Sequence, residues 1–90
     1  MTTVVAVAWL HERDWQRWQS IDGELLPYAG WLRKTESLIV QAQLGGALVV
    51  KILVDPDSFV AWCKASGKAI NRQSRALYAA AELMRRRRHA

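Results

Sequence analysis

Three polar side chains near the start of the chain have types that could do chemistry: His11, Glu12 and Asp14. An imidazole beside two carboxylates could ligate a cation or pass a proton. Their spacing fits no closed metal site, and the second histidine, His89, stands at the other end of the chain. The expectation is a polar junction between a strand and a helix, with acids in the first turn favouring the helix dipole. Asp55 and Asp57 form a second carboxylate pair, which helix capping and dipole compensation explain without catalysis. Ser58, Ser66 and Ser74 have no histidine within their own elements, and neither Gly45 with Gly46 nor Gly67 with Lys68 makes a phosphate loop. Cys63 is the one cysteine; beside Phe59 and Trp62 it reads as a small packed residue rather than a reactive thiol. The sequence therefore points away from an enzyme, with no catalytic residue, metal ligand or cofactor expected.

The cations are more informative. The 90 residues carry a net charge of +5 and a pI near 10, a balance that suggests an anionic partner. Residues 1–45 hold four basic and five acidic side chains, residues 46–90 nine and three. Four of the nine are the run Arg85, Arg86, Arg87 and Arg88, so without it the surplus is only +1. Such a run is either a solvated helix end or an arm for polyanions. Lys68, Asn71 and Arg72 would surround one helix N-terminus, a natural seat for a phosphate, and Lys51 is the single cation of a strand.

The elements that must position these side chains follow from the apolar pattern. "VVAVAWL", Val4 to Leu10, is a short β-rich run without polar alternation, as expected of a strand covered on both faces or set against an apolar partner. Trp15 and Trp18, three apart, mark a short helix ended by Gly23. Pro27 then opens a longer helix whose stripe is Tyr28, Trp31, Leu32, Thr35, Ile39 and Ala42, stopping at Gly45 and Gly46. The second half repeats the plan. "ALVVKILV" predicts a strand, Asp55 and Pro56 the start of a helix burying Phe59, Trp62 and Cys63, and Gly67 its end. Asn71 caps a last helix with a predicted stripe of Ser74, Leu77, Tyr78, Ala81 and Met84. Of the five tryptophans, Trp15, Trp18, Trp31 and Trp62 fall on helix stripes and are expected in the core; Trp9, in the strand, is the one candidate for stacking on a base.

A shift of 44 lays Val5 on Val49, Trp15 on Phe59, Trp18 on Trp62 and Gly23 on Gly67, and a further shift of two lays Trp31 on Leu77 and Glu36 on Glu82. A strand with two helices cannot bury its own stripes, and a second copy supplies the missing face. The expected fold is α+β: a β-α-α-β-α-α pseudo-repeat in one domain, residues 1–84, with halves 1–45 and 46–84 and a basic tail at 85–90. Two strands would pair side by side with four helices packed on them.

Residues 47–88 resemble the ribbon-helix-helix family of small DNA-binding proteins, on "VVKILVDPDSF", the "GK" at the helix–helix turn and "NRQSRAL". The resemblance implies an antiparallel ribbon in the DNA major groove and a backbone phosphate at the N-terminus of the second helix. On that footing Lys51, Lys68, Asn71, Arg72 and the four arginines from Arg85 to Arg88 are the candidate nucleic-acid contacts, and the first half is a built-in partner. Only Lys51 offers a donor on the ribbon's outer face, however, and the matching turn of the first half supplies Glu24 instead of a base. A protein-interaction module, an inhibitor or adaptor using an apolar ribbon or helix face, is the alternative. No segment reads as a membrane span or leader, so the expected setting is the cytoplasm, as a monomer or homodimer.

Overall fold

In the computed structural model, which describes residues 2–88, the order of elements is that of the repeat. Strand β1 (Val4–Trp9) leads through a 3-10 turn (Glu12–Asp14) into helix α1 (Trp15–Ile21), followed by α2 (Tyr28–Leu44), β2 (Leu48–Leu53), α3 (Pro56–Ser66) and α4 (Arg72–Arg88). The last two residues of the expected tail, His89 and Ala90, lie outside the described residues. The four arginines before them continue α4.

The two strands are parallel, which corrects the antiparallel, ribbon-helix-helix-like arrangement expected from the sequence. A parallel pair within one chain needs a long crossover between its strands. Here the chain between the strands, residues 10–47, contains α2, whose 17 residues run about 25 Å at 1.5 Å per residue. That length carries the chain back past the sheet, so β2 starts beside the start of β1. The register pairs Val5 with Val49 and Trp9 with Leu53, the same offset of 44 that aligns the halves. The long helices share that offset too, Tyr28–Leu44 against Arg72–Arg88, so the additional shift of two read from the sequence is not needed.

The hydrogen bonds that flank the ladder fix its parity. Leu48 N–H donates to Thr3 O (2.8 Å) and Val54 N–H to Trp9 O (3.0 Å), so the odd-numbered residues of β1 and the even-numbered residues of β2 turn their backbone groups toward one another. Side chains alternate independently of that. Ile52 and Val54 are fully buried while Lys51 and Leu53 are exposed. Beyond the strand ends, Leu10 and Val54 meet Trp15, Trp18, Phe59 and Cys63 in the main core, with Ala8, Trp31, Trp62 and Tyr78 packed around it. One aromatic contact joins the halves, Trp18 to Phe59 at 5.6 Å, and others bind each half within itself, Trp62 edge-on to Tyr78 at 5.3 Å and Trp31 to Trp15 at 5.3 Å. Each such pair adds about 0.5–1.5 kcal/mol to area burial.

The helix starts and stops are written locally. Asp55 Oδ2 accepts from Ser58 N–H (2.9 Å), with Pro56 opening α3; Asn71 Oδ1 accepts from Ser74 N–H (2.8 Å) ahead of α4. Gly67 closes α3 at φ 65°, where Lys68 N–H reaches Cys63 O (2.9 Å), a left-handed position that a β-carbon would strain. Along α2 the expected stripe from Tyr28 to Ala42 is the inward face, with Ile39 buried. α4 is rotated from expectation. Ser74 and Tyr78 turn inward as expected, but Leu77 and Met84 are about half exposed and Ala81 is exposed, while Arg75, Ala79, Glu82 and Leu83 turn inward instead. The cause is a charge pair on Arg75 that no local pattern reveals.

Trp18 is fully buried and its Nε1–H has no partner among the described residues. Trp18→Ala should therefore cost about 3–5 kcal/mol, whereas Trp18→Phe, which keeps a ring against Phe59 and removes the unpartnered donor, should cost less than about 2 kcal/mol in urea unfolding. The Ser58 N–H bond also holds the Asp55 carboxyl below the ordinary aspartate range. A depressed folded value contributes stability above the unfolded pKa and loses it as pH falls through the folded one. Asp55→Ala should cost about 1 kcal/mol near neutrality. Asp55→Asn should keep most of that while flattening part of the acid limb of a stability–pH curve.

Candidate functional site

β1 has one edge paired with β2 and one edge free. By the parity of the ladder, Val4, Ala6 and Ala8 direct their N–H and C=O groups to the free edge, and no hydrogen bond engages them among the described residues. Ala6, Val7 and Ala8 line a groove of about 430 Å³ there. Trp31, Lys34, Thr35 and Leu38 of α2 form one wall, and Asn71 with Arg72, Arg75 and Ala76 of α4 the other. The segment after α1 closes one end with Asp22, Glu24, Leu25 and Leu26.

Local sequence explains why the strand lies open here. Alanines at positions 6 and 8 let α4 approach β1 closely, with Ala79 fully buried. The apolar wall comes from α2, where Trp31 touches Trp9 at 5.4 Å and Leu38 remains 43% exposed. At the base, Arg75 Nη1 donates to Asp22 Oδ2 at 2.7 Å, and both side chains are about nine-tenths buried. Asp22 Oδ1 accepts in turn from Glu24 N–H (3.1 Å). This pair cancels its own charge. Lys34 and Arg72, exposed and in no ion pair among the described residues, therefore set the sign of the groove's rim against the single carboxylate of Glu24.

The candidate nucleic-acid residues do not gather in one place. Asn71 and Arg72 line the groove. Lys68 is exposed in the turn between α3 and α4. Lys51 belongs to β2, with its ammonium 4.1 Å above the Trp9 ring, so the tryptophan that could have stacked on a base is already engaged. Arg85, Arg86, Arg87 and Arg88 sit at the far end of α4, about 20 Å or more from Arg72 along the helix axis. Arg85 donates two bonds to Glu82, which lower the Glu82 carboxyl and raise the guanidinium.

The acids and the imidazole serve local structure. His11 Nδ1 accepts from Arg13 N–H (3.2 Å), and Asp57 binds Arg17 at 2.8 Å across the halves. Burial pushes the Cys63 thiol up, away from the reactive thiolate. Sequence reasoning missed Asp22, Lys34, Leu38 and Arg75. The free edge had one sign in the sequence, the two small residues alternating in an otherwise bulky strand; the Asp22–Arg75 pair, 53 residues apart, had none.

No family model matches the chain, and neither the curated proteins nor the solved structures give a match. The geometry alone carries the functional reading.

Arg75→Met strands the Asp22 carboxylate in a buried site and should cost about 3 kcal/mol. Adding Asp22→Asn, which keeps an acceptor for Glu24 N–H, should restore roughly half or more of the loss. A double-mutant cycle by urea unfolding measures both, and additive losses would show that the pair does not couple the halves.

Proposed function

We propose that this chain is a non-enzymatic binding domain that holds a protein partner in the groove between α2 and α4. The observation that carries the reading is the unpaired edge of β1 lying between two helices, with apolar side chains from α2 and polar ones from the start of α4. An exposed sheet edge is a template on which an extended segment of another protein forms main-chain hydrogen bonds. The role is that of an adaptor or inhibitor, and it uses the strand edge where the sequence suggested an apolar ribbon or helix face.

A peptide-display selection against the full chain tests this. Enriched peptides should lose binding to Leu38→Arg, which obstructs the groove from an exposed position, and keep it with Leu77→Arg, on α4 outside the groove. Peptides that respond to Leu77→Arg and ignore Leu38→Arg would place the binding surface elsewhere.

Contact with duplex DNA is the second reading, supported by the exposed cations Lys68, Arg72 and the four arginines at the end of α4. If the body of the domain contributes, Arg72→Ala should lower the slope of log affinity against log salt by about one unit. If cutting after Met84 abolishes binding and Arg72→Ala changes nothing, the arginine run alone accounts for it.

A further inference from the structure

We propose that the occupant of the groove is an extended, acidic segment of a partner protein, which adds to β1 as a third strand and sets a carboxylate beside Lys34 and Arg72. The inference rests on the reading of the groove as the binding surface and specifies its mode and ligand chemistry.

Four observations converge on it. Val4, Ala6 and Ala8 offer a row of unpaired donors and acceptors along the free edge of β1, the template on which an extended peptide forms main-chain bonds. The row spans about 13 Å at 3.3 Å per residue, of which Ala6 to Ala8 lie in the groove and Val4 beyond its end. Among the described residues the sheet has two strands, a number that leaves β structure marginal without further packing or pairing. The edge is recessed, with α2 and α4 rising on either side. A bare strand fits between them. A second copy of this chain does not fit as well, because its own α2 and α4 would meet the same walls and bring each Lys34 and Arg72 against its counterpart. Finally, the rim charge is specific. Asp22 and Arg75 neutralise one another at 2.7 Å, so the groove presents Lys34 and Arg72, the latter at the first turn of α4 where the helix dipole also favours an anion. Glu24 at the closed end disfavours a second acid there and suits a basic residue.

The test uses the full chain and a seven-residue acetylated, amidated peptide of alternating valine and threonine with one central aspartate. Binding is followed by amide chemical shifts and hydrogen exchange. The amides of Ala6 and Ala8 should be protected about tenfold or more when the peptide is bound, the factor that corresponds to roughly one hydrogen bond. Methylating alternate backbone nitrogens on one edge of the peptide should weaken binding at least about tenfold, while methylating the other edge should leave it unchanged. In the protein, Ala6→Pro removes a donor that faces the groove and leaves the β1–β2 ladder intact, so it should reduce affinity by a similar factor. Should Ala6→Pro unfold, the charge-swapped pair decides: Arg72→Glu should lose the aspartate peptide and gain one carrying lysine in its place.

Tolerance of methylation on both edges, with binding still blocked by Leu38→Arg, would overturn strand addition and leave the groove reading intact. Failure of the display selection to yield any groove-dependent peptide would overturn the groove reading itself. Protection of Ala6 and Ala8 by duplex DNA but not by the peptide, or by self-association with rising protein concentration, would each overturn the proposed occupant.

Discussion

The ion pair between Asp22 and Arg75 is the interaction on which the rest of the arrangement turns. A guanidinium and a carboxylate that are each about nine-tenths buried are held there only by one another and by the Glu24 N–H, since either charge alone would carry a desolvation penalty of several kcal/mol. The pair joins the residue that ends α1 to the first turns of α4, and so locks the two halves in one relation. It also sets the rotation of α4. With Arg75 drawn inward, Ala79 lies against the strands, and Leu77 and Met84 face out although their spacing suits a core.

The parallel pairing of β1 and β2 is the second constraint, and it comes from chain length. A helical crossover of this size returns the chain to its starting end, which permits the parallel pairing that the strands adopt. Two consequences reach the surface. The strand with small residues, β1, keeps a free edge between α2 and α4. The strand with the lysine, β2, lays that lysine over Trp9. Hence the basic residue expected to read a groove of DNA is engaged with an indole, and the functional interest moves to a row of backbone groups on β1.

Charge makes the same point about placement. The net of +5 does not gather at the groove: Arg17 and Asp57 join the halves, Arg75 is buried, Arg85 is bound to Glu82, and the arginine run extends α4 away from the groove. What remains at the groove is a small, local excess from Lys34 and Arg72. Composition thus proved a poor guide to the candidate site, because pairing consumed several of the charges that it counted.

The sequence alone determined what depends on neighbours within a few residues. The α2 stripe from Tyr28 to Ala42, the caps at Asp55 and Asn71, the left-handed stop at Gly67 and the 44-residue plan are all legible, because a helix period, a side chain bonded three residues on and a glycine at positive φ are local facts. Only the tertiary structure decided the strand direction, the rotation of α4 and the groove. Each depends on groups brought together from distant parts of the chain: β1 with β2 across a crossover, Asp22 with Arg75 across 53 residues, and α2 with α4 on either side of a strand edge. Such contacts lower free energy only after the loops between them have closed, and no short window of sequence records that closure.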